Sequence, residues 1–80
     1  MRLNKDDIDL INFSLSGIRV FNSVEEINTL SREAIMSIID NHLASLIGYD
    51  KIKGDIDELG EKADNVIAKL LRLLRNRGEM

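Results

Sequence analysis

Residues 52–73 read IKGDIDELGEKADNVIAKLLRL and carry the most regular pattern of the chain. Apolar residues recur there at alternating spacings of four and three, which is the heptad repeat of helices that pack along their length. The apolar positions of this repeat are Ile52, Ile56, Leu59, Ala63, Val66, Leu70 and Leu73. Gly78 is a favourable residue to end such a helix. The pattern predicts a helix over residues 51–77.

A second, wider apolar pattern precedes this repeat. Ser23 and Glu26 have the spacing of a capping box, which marks a helix start. The apolar positions that follow are Val24, Ile27, Leu30, Ala34, Ile35, Ile38, Ile39, Leu43, Leu46 and Ile47. A helix with so wide an apolar stripe usually packs against two neighbours. We predict a helix over residues 24–47, with Gly48 ending it.

The N-terminal segment begins with Asn4, a good helix N-cap, and carries acidic residues in the first turn. One helical face follows, formed by Ile8, Ile11, Leu15 and Ile18. The pattern favours a helix over residues 5–20. Residues 11–15 also alternate apolar and polar, which is the period of a strand, so an extended segment there remains an alternative.

These segments predict an all-α fold. The chain has 80 residues and no proline, so any of its segments can be helical. Short loops make consecutive helices neighbours in space. We therefore predict a single helical domain over residues 1–80, in which two long antiparallel helices pack with a shorter N-terminal helix.

The predicted bundle has too much apolar surface for a small monomer. A chain of this length buries little surface on folding, and without cysteine it has no disulfide to stabilise it. We therefore expect a second copy, as a homodimer or a higher oligomer, to complete the core, with another protein as a further partner. The residues predicted for this oligomer or partner interface are Ile35, Ile38, Ile39, Leu43, Leu46, Ile56, Leu59, Val66, Leu70 and Leu73.

Composition argues against several classes of function. The net charge is −3, which argues against unspecific nucleic-acid binding. With no cysteine and one histidine, the chain has no ligand set for a zinc or iron–sulfur site, and we expect no metal and no cofactor. No apolar run approaches the ~20 residues of a membrane span. Acidic residues stand where a signal peptide would be apolar, so we expect a cytoplasmic protein.

His42 is the first candidate for chemistry. Residues 40–49, DNHLASLIGY, resemble the phospho-accepting helix of sensor histidine kinases, which implies phosphotransfer at His42. The proline and polar residues that follow the histidine in that family are missing here. The competing interpretation is a structural histidine one turn before the end of a helix. We prefer the structural interpretation and predict no catalytic residue.

A second resemblance suggests a different class of function. Residues 11–15, INFSL, resemble the strand of ribbon-helix-helix repressors, and Ser31-Arg32-Glu33-Ala34 is similar to the turn that starts their second helix. The resemblance implies a dimeric DNA-binding repressor or antitoxin that reads bases with Asn12, Ser14 and Ser16. We keep this as the alternative function.

The main prediction is a small non-enzymatic protein-interaction module, acting as a regulator, inhibitor or adaptor. No acid, base and nucleophile occur at spacings that suggest a catalytic group. A basic contact patch at the C-terminal end adds a second predicted surface. Its residues are Lys69, Arg72, Arg75 and Arg77.

Overall fold

The computed structural model describes residues 2–47, 49–50, 55–56 and 58–79, and of residues 49–50 and 55–56 the backbone only. The chain is mostly helical, which confirms the all-α class. Its α-helices are α1 (Lys5–Leu15), α2 (Val24–Asn28), α3 (Arg32–Ser37) and α4 (Glu58–Asn76). Helix α3 continues as a π-helical segment, Ile38–Leu43, and a 3₁₀ turn, Ala44–Leu46. We call this run, residues 32–46, the central helix.

A short antiparallel ribbon stands between the central helix and α4. Strand β1 (Tyr49–Asp50) pairs with β2 (Asp55–Ile56), and Tyr49 lies opposite Ile56. The predicted helix over 51–77 is therefore wrong at its start. The backbone groups of residues 55–56 pair with β1, so they are not available to a helix.

Helix α1 begins as predicted and ends early. The Asp7 N–H donates to Asn4 Oδ1 at 3.0 Å and the Asn4 N–H donates to Asp7 Oδ2 at 2.9 Å, which is a reciprocal capping box. Ser16 and Gly17 adopt left-handed backbone, with φ of 50° and 84°. The predicted helix over 5–20 is thus wrong beyond Leu15, whereas residues 11–15 are helical and not a strand.

The predicted helix over 24–47 is also wrong as a single element, because the chain breaks between α2 and α3. The Thr29 hydroxyl donates to the carbonyls of Glu25 and Glu26 at 3.1 and 3.2 Å, at the last turn of α2. Ser31 has extended backbone, and its hydroxyl accepts the Ala34 N–H at 3.2 Å. A serine in this position starts a new helix.

Helix α4 is continuous from Glu58 to Asn76, as the repeat predicts for most of its length. It ends in a Schellman motif, in which the Glu79 N–H donates to the Leu74 carbonyl at 2.9 Å. The Gly78 N–H donates to the Arg75 carbonyl at 3.0 Å, and Gly78 has a φ of 73°. This confirms the role predicted for Gly78.

One apolar core joins the described helices. It takes side chains from α1, from the loop after it, from α2, from the central helix and from α4. The buried members are Ile8, Ile11, Leu15, Phe21, Ile27, Leu30, Ile35, Ile38, Ile39, Leu43, Val66, Leu70 and Leu74. None of the described helices is both long and apolar enough to cross a lipid bilayer.

Candidate functional site

A groove of about 750 Å³ lies between α1 and α4. Phe13 on α1 is 63% exposed and Leu59 on α4 is 37% exposed, and both line the groove. Leu10, which is half-buried, adds further apolar surface to the groove. Apolar side chains exposed together in a concave surface with polar edges are typical of a binding surface.

A largely buried ion pair fixes the two helices that form the groove. Lys69 Nζ lies 2.7 Å from Asp7 Oδ2, and both side chains are mostly buried. The same carboxylate oxygen accepts the Asn4 N–H in the capping box of α1. The start of α1 is therefore tied to the middle of α4, and the groove is built into the fold.

The two edges of the groove carry opposite charge. Asp6 and Asp9 line it from α1 and are exposed, and Lys62 lines it from α4. Lys62 Nζ lies 3.6 Å from Glu58 Oε1, but both side chains are largely exposed. An exposed ion pair of this kind contributes little free energy. The Lys62 ammonium can therefore exchange Glu58 for another carboxylate.

The loop after α1 presents two more exposed apolar residues, Ile18 and Val20. Asn12 holds this loop against α1, because its Nδ2 donates to the Phe21 carbonyl at 2.9 Å and its Oδ1 accepts the Phe21 N–H at 2.8 Å. The Arg19 guanidinium lies 4.5 Å from the centre of the Phe21 ring. The loop is thus fixed by specific contacts.

These contacts remove the strand on which the ribbon-helix-helix resemblance rests. That family needs a strand at residues 11–15, and here they form the last turns of α1. The Asn12 side-chain amide is hydrogen-bonded to the Phe21 backbone, and the Ser14 hydroxyl donates to the Ile11 carbonyl at 2.7 Å. Ser16 caps the end of the helix instead of standing on a ribbon.

Most residues predicted for an interface lie inside the single chain. Buried in its core are Ile35, Ile38, Ile39, Leu43, Val66 and Leu70. Leu46 and Leu73 pack partly buried against that core. Leu59 is exposed in the groove, and the side chain of Ile56 lies outside what the structure describes.

Phe13 was not among the interface residues predicted from the sequence. Its position lies off the buried face formed by Ile8, Ile11 and Leu15, and an aromatic residue off the buried face of an amphipathic helix is the signal that could have revealed it.

The predicted basic patch is divided by its contacts. Lys69 pairs with Asp7, and Arg77 pairs with Glu79 at 2.7 Å between Nη2 and Oε2. Arg77 also donates from Nη1 to the Asn28 carbonyl at 3.4 Å. Arg72 and Arg75 are exposed, and neither forms an ion pair with a described residue.

His42 is half-buried in the π-helical segment, where its carbonyl accepts the Ser45 hydroxyl at 2.6 Å. Among the residues described, no three His, Asp or Glu side chains group in a way that could hold a metal ion. Of the acidic residues before and in α4, Asp57 lies outside the described residues, as do the side chains of Asp50 and Asp55. The remaining ones, Glu58, Glu61 and Asp64, are exposed.

Comparisons with protein-family models, with curated proteins and with solved structures give no match to this chain. The groove between α1 and α4 is therefore the main candidate for a functional surface.

Proposed function

We propose that the chain is a small non-enzymatic protein-interaction module that associates with a second copy through the α1–α4 groove. In this form it regulates, inhibits or bridges another protein. The observation that carries the proposal is the exposure of Phe13 at 63%, beside Leu59 on the opposite helix of the same groove. An exposed aromatic in a concave surface is the kind of side chain that anchors protein interfaces.

The charges at the groove favour a second copy as its occupant. A two-fold axis parallel to the groove sets α1 of one protomer against α4 of its partner, so Asp6 and Asp9 approach Lys62. A two-fold axis across the groove would set the acidic edges against each other. Closed two-fold symmetry is the commonest arrangement of homo-oligomers, and the charge pattern selects one of its two geometries.

The proposal also extends to the rest of the molecule. Residues 1–80 act as one folded unit, the central helix and α4 run antiparallel, and the second copy covers apolar surface that one chain leaves exposed. The protein works in the cytoplasm, catalyses no reaction and uses no metal or cofactor. The net charge of −3 supports a protein partner in preference to nucleic acid.

Sedimentation equilibrium of the wild type and two variants tests the proposal. The wild type should have twice the 9.1 kDa mass of one chain. Phe13→Asp should shift the population to monomer. Ile18→Asp is the matched control, because Ile18 is 75% exposed but does not line the groove, and the change of charge is the same.

Two results would contradict the proposal. One is a wild type that stays at 9.1 kDa at high concentration. The other is a dimer that both aspartate variants weaken equally, because the groove would then not be the interface.

A further inference from the structure

We propose that a second cavity, on another side of α4, binds a phosphate monoester of a small organic molecule. The cavity has a volume of about 440 Å³ and lies among the N-terminal segment, α2 and the C-terminal half of α4. Its lining residues are Arg2, Leu3, Val24, Asn28, Lys69, Arg72, Leu73 and Asn76. This volume falls within the range of about 300–1,000 Å³ that is usual for small-molecule sites.

The charge of this lining is opposite to that of the whole chain. The net charge of the protein is −3, yet three of the eight lining residues are cationic and none of the eight is acidic. Lys69 is already paired with Asp7 at 2.7 Å. The guanidiniums of Arg2 and Arg72 form no ion pair with any residue that the structure describes.

Three other arginines of the chain contact neighbouring groups, whereas Arg75, which does not line this cavity, also forms no ion pair with a described residue. Arg77 pairs with Glu79, Arg32 donates from Nε to the Glu79 carbonyl at 3.0 Å, and Arg19 lies over the Phe21 ring. The two arginines of the cavity come from distant parts of the sequence and are brought together by the fold. Two uncompensated cations that share a concave surface attract an anion.

The remaining lining residues indicate which anion fits. A guanidinium donates two parallel hydrogen bonds to phosphate or carboxylate, and two guanidiniums together match a doubly charged group with several oxygens. The side-chain amides of Asn28 and Asn76 supply further donors. Leu3, Val24 and Leu73 offer apolar surface to the organic part of the ligand. A phosphate monoester combines these properties.

The test is a ¹⁵N-resolved NMR titration of the full chain with phenyl phosphate, at fixed pH and ionic strength, with inorganic phosphate and benzoate as parallel probes. We expect saturable shifts confined to residues 2–3, 24–28 and 69–76. Phenyl phosphate should bind more tightly than either parallel probe, because inorganic phosphate lacks the apolar ring and benzoate lacks the phosphate group. Arg72→Gln should weaken binding by about tenfold or more, since it removes a charge-assisted pair.

Arg75→Gln is the matched control, because Arg75 is one turn further along α4 and does not line the cavity. A loss of affinity confined to the Arg72 variant supports the proposal. Shifts that never saturate, or that the two variants reduce equally, would overturn it, since binding would then be general attraction to positive charge. A well-dispersed spectrum of the Arg72 variant ensures that lost binding is not lost folding. This titration tests phosphate binding separately from the proposed dimer, which is tested by the molecular mass in sedimentation equilibrium.

Discussion

Asp7 belongs to two parts of the fold at once. Its carboxylate accepts the Asn4 N–H at the start of α1 and pairs with Lys69 Nζ on α4. Asp7→Asn keeps an acceptor for the cap but leaves the Lys69 ammonium mostly buried without its counter-charge. We expect a loss of about 2–3 kcal/mol in the free energy of unfolding.

Urea unfolding measures this loss. Asp6→Asn is the control, because Asp6 is exposed in the same turn and the chemical change is identical. We expect the control to change stability by less than about 0.5 kcal/mol. Equal losses in the two variants would mean that the ion pair between α1 and α4 contributes nothing of its own.

Asn12 gives the second prediction at this scale. Its amide makes two hydrogen bonds with the backbone of Phe21, one as donor and one as acceptor. In Asn12→Asp the donor is replaced by a carboxylate oxygen that faces the Phe21 carbonyl. We expect this substitution to cost about 1–3 kcal/mol, because a partly buried acceptor loses its partner and meets a negative charge.

Thermal unfolding checks the prediction, with Asn41→Asp as the control. Asn41 is exposed, and among the described residues its side chain donates to the Ser37 hydroxyl alone, at 3.2 Å. If Asn12→Asp unfolded at the wild-type temperature, the loop after α1 would not depend on this amide.

Among the elements, α4 ends at its C-terminus in a Schellman motif that depends on Gly78. Gly78 has a φ of 73°, and a Cβ added there would meet no atom within 4 Å. Gly78→Ala should therefore cost about 1 kcal/mol, through backbone conformation alone. A chemically synthesised chain with D-alanine at this position should keep the wild-type stability, because D-residues favour positive φ. Equilibrium unfolding of the three proteins gives the comparison, and an equal loss with both alanines would indicate a steric cause.

The helices show which parts of the fold can be predicted from sequence. Most of α4 was predictable because buried Ala63, Val66 and Leu70 keep a strict helical spacing. The break at residues 29–31 was not, because Leu30 is buried and keeps the apolar period whether or not the backbone around it is helical. The break is formed by hydrogen bonds between the hydroxyls of Thr29 and Ser31 and nearby backbone groups. Such local bonds compete with the backbone bonds of a helix but leave the apolar pattern of the sequence unchanged.

The candidate site was predictable only in part, for a similar reason. Periodicity shows which residues share a face of a helix, but not which neighbour covers that face. Leu59 and Val66 belong to the same repeat, yet Val66 is buried in the core and Leu59 is exposed. The residues around Phe13 and Arg2 come from distant parts of the sequence, so a local apolar pattern cannot predict them.

At the scale of the whole molecule, the single chain already has a core. Side chains from α1, α2, the central helix and α4 are buried together without a partner. The expectation of a second copy, based at first on surplus apolar residues, therefore rests now on the groove. In the proposed dimer the interface forms between protomers that are already folded. Substitutions in the groove should therefore change the dimer affinity without unfolding the protomer.

The charged edges of the groove provide that test. Asp9 and Lys62 line it from opposite sides, and within one chain they do not pair with each other, since the ion pair of Lys62 is the exposed one with Glu58. In the proposed dimer each faces its counterpart on the partner protomer. Asp9→Lys or Lys62→Asp alone should weaken dimerisation by about tenfold, because like charges then meet across the two-fold axis.

The double variant Asp9→Lys with Lys62→Asp should recover most of the lost affinity, since the charges are exchanged and again opposite. Asp9→Lys combined with Arg75→Asp is the control, because it has the same net charge but Arg75 does not line the groove. Dimer dissociation constants from sedimentation equilibrium compare the two. Recovery in the first pair alone requires that Asp9 of one protomer lie near Lys62 of the other. Equal affinities in both would show that only net charge matters and would exclude the proposed two-fold geometry.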